Sequence, residues 1–129
     1  MRRAADITSR QAVEAYFAQI KKHNATYNAI VTLNETQTLA QADPADQAMR
    51  DGRPCGPLHG VPITINDIYR VKGSLTTAGY PPLKDYIPDR DAVAVQLLKE
   101  SGEIIIGRTN APIAPSFLFE IIIVPLLGW

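Results

Sequence analysis

Two histidines, one cysteine, four serines and an Asn–Asp pair closing an apolar run are the groups in this sequence that could do chemistry. His59 sits in the loop Gly56 to Gly60, where an imidazole can act as acid or base near neutral pH. No second titratable group stands beside it at a recognisable spacing, which favours a loop histidine that satisfies backbone groups. His23 follows Lys21 and Lys22 at an expected helix end, where it would meet the last carbonyls. Cys55 would need a base to become a nucleophile, and its flanks supply none. Ser9, Ser74, Ser101 and Ser116 fall at a cap, a loop, a helix end and the start of the tail, outside any Gly-x-Ser-x-Gly elbow or Ser-x-x-Lys pair. Asn66 carries an amide that accepts no proton at a useful pH. Asp67 beside it could orient a catalytic group, but without a base it reads as a strand-end cap or turn residue. No glycine-rich run ends in Lys-Ser or Lys-Thr, and the His and acid spacings offer no metal site.

The elements that would position these groups alternate helix and strand. Thr8 with Gln11 forms a capping box ahead of a helix over about 9–22, with Val13, Tyr16, Phe17 and Ile20 on one face. The β-branched residues Ile30, Val31 and Thr32 favour a short strand within 28–33, and Asn34 then caps a helix over 35–42. Pro44 is expected to interrupt that helix, with Asp43 as a new N-cap and a restarted helix to Arg50, ended near Gly52. The Gly- and Pro-rich stretch 52–60 reads as an ordered loop whose amides could face a substrate, although turns are the commoner use. A strand over 61–65 follows. Asp89 or Asp91 is expected to cap a third helix whose buried stripe is Ala94, Leu97 and Leu98 and whose stop is Gly102. The run 103–107 is an apolar strand of the kind found deep in a parallel sheet. Helices alternating with such strands predict an α/β layer.

Composition narrows the partners. A chain of 129 residues with 46% hydrophobic and 20% charged residues has room for one modest domain. Thirteen basic residues balance thirteen acidic ones, and no Lys/Arg run exceeds two, so charge gives no support for nucleic acid or an anionic membrane as partner. One cysteine excludes an internal disulfide, making the reducing cytoplasm the expected compartment. Arg2 and Arg3 lack the apolar run of a signal peptide, and the apolar stretch 117–129 is shorter than the ~20 residues of a membrane span. Glu120 and Pro125 also interrupt that stretch.

The stretch Gly56-Pro-Leu-His-Gly-Val-Pro-Ile-Thr-Ile-Asn-Asp67, continued by Gly73-Ser-Leu-Thr-Thr-Ala-Gly79 and Gly107-Arg-Thr-Asn-Ala-Pro112, resembles the N-terminal part of the amidase signature family. The resemblance implies a single large α/β domain on a mixed twisted sheet, of which 1–112 would be a partial, incomplete layer with helices packed on the sheet. It implies hydrolysis of small-molecule carboxamides by a serine nucleophile, a second serine on a cis peptide and a lysine base, without metal or organic cofactor. Some relatives instead deliver ammonia from glutamine to a misacylated transfer RNA as part of an amidotransferase. The catalytic lysine maps to Asn66, and the two serines map beyond Trp129. Arg108 stands where lysine is usual, a cation for a cation.

Residues 113–129 depart from the family's polar continuation, so a divergent apolar tail from a frameshift, a premature stop or a misassigned boundary is expected. The resulting expectation is an amidase-like fragment that is inactive alone, a pseudoenzyme. The alternative is a non-enzymatic interaction or oligomerisation module that self-associates through its sheet edge and apolar tail.

Overall fold

The computed structural model describes residues 7–53 and 55–111. Helix α1 spans Ser9–Tyr27, β1 Ile30–Leu33, α2 Glu35–Arg50, β2 Pro62–Asn66, a 3-10 turn Pro81–Leu83, α3 Val93–Glu100 and β3 Ile104–Thr109. The sheet order is β1-β3-β2, with β3 parallel to β2 and antiparallel to β1. The mixed α/β layer expected from the alternation is present, and β3 takes its central place. The expected tail, 113–129, lies outside the described residues.

Helix α1 begins where Thr8 and Gln11 exchange hydrogen bonds: the Gln11 N–H donates to Thr8 Oγ1 at 3.1 Å and the Thr8 N–H to Gln11 Oε1 at 2.9 Å. A second acceptor reaches the same end from α2. The Asp46 carboxylate takes the N–H groups of Ser9 (2.6 Å) and Arg10 (3.1 Å), and Asp43 receives the Arg10 guanidinium at 2.8 Å. Burial pushes the Asp46 pKa up, but the Arg10 and Ser9 N–H groups outweigh it and hold the carboxyl below its ordinary value. The helix continues past the expected end at Lys22 because nothing before Asn28 breaks it. Asn28 terminates it at φ 46°, a left-handed position that asparagine tolerates. His23 accordingly lies inside the helix, with its ring 6.4 Å from that of Tyr27.

Pro44 does not interrupt α2, which runs unbroken from the Asn34 cap to Arg50. The proline is exposed, so its ring projects into solvent while Ala42 and Ala45 on either side are buried. Those two alanines, with Val13, Phe17, Ile104 and Ile106, form the core between the two helices and the sheet. Asp43 therefore serves the pair with Arg10 and not a new N-terminus.

The other face of the sheet carries α3. Ile63, Ile65, Val71 and Val95 form its core, with Ala92, Leu98 and Ile105 packed against them. Here the expected stripe is corrected: Leu98 faces inward, but Ala94 and Leu97 are exposed and Val95 is the buried residue. The cap differs too. Ala92 is the N-cap, without a side-chain bond, while the Asp91 carboxylate accepts the Lys72 N–H at 2.7 Å and Lys99 Nζ at 2.9 Å. Burial raises the Asp91 pKa less than Lys99 and Lys72 lower it, leaving it below the ordinary carboxylate value.

One sheet edge is partly closed by a side chain. The Asn24 amide donates to the Ile30 carbonyl and accepts the Ile30 N–H, both at 2.8 Å, copying at that residue the bonds of a neighbouring strand.

Candidate functional site

Asn66 is the last residue of β2, opposite Thr109 of β3. It is half-buried, and its Oδ1 accepts the Ile68 N–H at 3.1 Å, an Asx turn that bends the chain away from the strand. Its backbone carbonyl accepts the Tyr69 N–H at 3.1 Å and Arg108 Nη2 at 3.3 Å. The side-chain amide is thus an acceptor held in a turn, with no group that could take and return a proton.

Asp67 and Arg108 lie fully inside the fold, at 2% and 1% exposure. Asp67 closes the strand end through four contacts. Its N–H donates to the Thr109 carbonyl at 3.0 Å and its carbonyl accepts the Ala78 N–H at 3.2 Å. Its Oδ2 accepts the Thr77 N–H at 2.9 Å and the Thr77 hydroxyl at 2.6 Å. Of the two readings, strand-end cap or turn residue, the structure shows the cap, with a bonding partner ten residues away that no local spacing announces. Arg108 Nη2 stands 3.5 Å from Asp67 Oδ1 and also donates to the Tyr69 carbonyl. Burial lowers the Arg108 pKa and the Asp67 charge opposes that shift. Arg108 Nε and Nη1 and Asp67 Oδ1 have no hydrogen-bond partner, so the burial of the two charges is compensated by their mutual attraction together with the bonds that Nη2 and Oδ2 make. The sequence comparison of Arg108 with lysine as one cation for another missed this. A single nitrogen, Nη2, reaches both the Asn66 and Tyr69 carbonyls and faces the Asp67 carboxylate.

The Gly-Pro loop is elsewhere and otherwise occupied. The Leu58 and Gly60 N–H groups donate to the carbonyls of Ser101 and Gly102 at 3.0 and 2.8 Å. A Cβ on Gly56 would stand 2.3 Å from the Ser101 carbonyl oxygen, so glycine there permits the loop to lie directly on the turn before β3. These amides are consumed by the fold at the start of the strands, whereas Asn66 is at their far end. His59 Nε2 lies 2.9 Å from the Ala45 carbonyl, which can only accept, so that nitrogen carries the hydrogen and ties the loop to α2. Cys55 is exposed, with its thiol directed at the Arg53 carbonyl. The Ser101 hydroxyl donates to the Leu97 carbonyl at 2.9 Å.

A second buried acid went unnoticed in the sequence. Glu103 precedes β3, has both carboxylate oxygens unpartnered, and has its pKa raised by burial, with Lys99 opposing. It is six residues before Thr109, about 20 Å along an extended strand, so it and Asn66 do not share a site. No group of three His, Cys, Asp or Glu that could hold a metal occurs among the described residues. No helix among them is long and apolar enough to cross a membrane.

Comparison with known proteins places this geometry. The chain is 40% identical over 108 residues to the A subunit of the glutamyl-tRNA(Gln) amidotransferase from Endomicrobium trichonymphae, covering 84% of this chain and 22% of that protein. It is 38% identical over 110 residues to the indoleacetamide hydrolase of Bradyrhizobium diazoefficiens, covering 85% of this chain and 21% of that one. The native peptide amidase of Stenotrophomonas maltophilia superposes with a TM-score of 0.74 at 33% identity, over 81% of this chain and 22% of the amidase. The chain thus spans about a fifth of the length of these relatives. Because the family model named Amidase matches residues 11–118 and the same segment carries the β2 and β3 strand ends described above, the chain belongs to the amidase signature family.

Proposed function

We propose that the chain is an N-terminal portion of a carboxamide hydrolase domain that has no hydrolytic activity by itself. The observation that carries this reading is Asn66. At the position where the family resemblance expects a proton-accepting lysine, an amide side chain is held in a turn by the Ile68 N–H. A serine hydroxyl is a weak nucleophile until a neighbouring base removes its proton, and this end of β2 supplies no base. The rest of the apparatus implied by the resemblance, two serines and an oxyanion loop, has no counterpart assigned in residues 1–129.

The substrate class of the parent domain is a small carboxamide, a reading supported by relatives whose names include an indoleacetamide hydrolase and an acylamidase. The balanced charge argues against direct nucleic-acid binding by this segment, and the single cysteine suits a reducing cytoplasm. Release of ammonia from primary carboxamides by the purified chain is the test: the reading requires none above the buffer blank.

A second reading is an interaction or oligomerisation module. It is favoured by large apolar side chains left outward, among them Tyr80, Ile87, Val93 and Leu97. Size-exclusion chromatography with light scattering separates the two. A defined homo-oligomer supports the module, and a clean monomer removes it.

A further inference from the structure

Strand β1 pairs with β3 only as far as Gly107, so 104–106 have no strand beside them on that side. Helix α2 borders them there, with the Thr38 hydroxyl 3.3 Å from the Ile105 carbonyl. A cavity of about 370 Å³ lies along this edge, large enough for a small organic molecule. Val71 and the isoleucines of β3 line it, α2 contributes Gln37, Thr38 and Gln41, none of them charged, and Glu103 lines it where β3 begins.

Glu103 gives the cavity its chemistry. The residue is 8% exposed, and neither carboxylate oxygen has a hydrogen-bond partner among the described residues. The cations that share the lining are committed elsewhere. Lys99 holds Asp91 at 2.9 Å, Arg108 faces Asp67 at 3.5 Å, and Lys72 is exposed to solvent. A buried carboxylate without a partner keeps the full cost of its lost hydration. Burial accordingly raises its pKa, with its own N–H and Lys99 opposing and Asp91 adding to the rise. A planar cation with two parallel N–H groups meets both oxygens of a carboxylate at once. We propose that this cavity binds a small organic cation of the amidinium or guanidinium class, its two N–H groups donating to Glu103 Oε1 and Oε2 and its apolar body resting on Val71 and the isoleucines of β3.

The test titrates benzamidine into the full 129-residue chain by calorimetry, with benzamide as the uncharged isostere. Benzamidine is expected to bind one-to-one and saturably, and both benzamide and the Glu103→Gln chain should give dissociation constants at least about tenfold higher. Glu100→Gln, at an exposed acid of α3, should leave the affinity unchanged, which separates the cavity from general attraction of a cation. Glu103 must release its proton to pair with the ligand, so the affinity of the parent should rise with pH through the raised Glu103 value and level off above it. Asp91 lies below the ordinary carboxylate value and is already ionised there, and α2 brings no titratable group to the cavity. This pH series is read on the parent chain and needs no folded variant. Absence of saturable benzamidine binding overturns the proposal, as does an affinity indifferent to pH. Benzamide bound as tightly as benzamidine overturns it too, as does a folded Glu103→Gln chain that binds like the parent or a Glu100→Gln chain that loses as much.

Discussion

At the scale of single residues, the strand end after Asn66 is set by two buried charges. Asp67 and Arg108 are attractive at 3.5 Å, but each leaves polar atoms unpartnered, so neither tolerates loss of the other. Asp67→Ala is expected to lower unfolding free energy by about 3–5 kcal/mol, since it strands a guanidinium and releases Thr77. The joint replacement Asp67→Leu/Arg108→Met should cost much less than that in urea unfolding, because it removes both charges together. Ala78 tells a smaller story. Its φ of 51° is left-handed, and it is held there by its N–H bond to the Asp67 carbonyl. Relief of the Cβ contact outweighs the added freedom of the unfolded chain, so Ala78→Gly should raise stability by about 0.5–1 kcal/mol. Glu103 gives a pH signature. Its folded pKa is raised, so the fold binds its proton more tightly than the unfolded chain does. Its contribution is full below the ordinary carboxylate pKa and is lost as pH rises through the raised value. Glu103→Gln should flatten that part of the stability profile above the ordinary carboxylate pKa, and thermal melts at a series of pH values read it directly.

Among the elements, α2 departs furthest from what its residues announce. A proline in a helix interior removes one backbone bond, yet α2 passes through Pro44 because Ala42 and Ala45 are buried against Val13 and Phe17 and packing outweighs local preference. Pro44→Ala should therefore stabilise the chain by about 2 kcal/mol, the helix-propensity gain less the unfolded-state effect, as measured by chemical denaturation. Features written into adjacent residues were legible in the sequence. The Thr8–Gln11 box, the Asn34 cap and the apolar β3 strand all follow from spacing alone. Contacts across long separations were not legible. Asp46 on α2 caps α1 from 37 residues away, Asp91 turns to Lys72 and Lys99 instead of the α3 amides, and Asp67 reaches Thr77. Each of these acids has an ordinary local role available, and only the tertiary fold shows which partner prevails. The α3 stripe failed for a related reason. With apolar residues around most of its circumference, the helix gives periodicity no means of choosing Val95 over Leu97.

For the molecule as a whole, two layers of helix enclose a three-stranded sheet that matches solved amidases closely over a fifth of their length. The family is legible in Gly56 to Asp67 because that run serves the fold. Its glycines and prolines seat the loop on the turn before β3, and its last residues close the strand end. The chemistry is a separate matter, and it turns on the side chain at position 66. With the amide oxygen held as an acceptor in the Ile68 turn, the proposed loss of catalysis goes beyond a single substitution: a base restored there still has no assigned serine to deprotonate. The most direct test is ammonia release from a panel of primary carboxamides by the purified chain and by its Asn66→Lys variant, each freed of host amidases. Both are expected to remain at the blank rate. Hydrolysis by the parent chain, or by Asn66→Lys acting alone, would contradict the proposed inactivity.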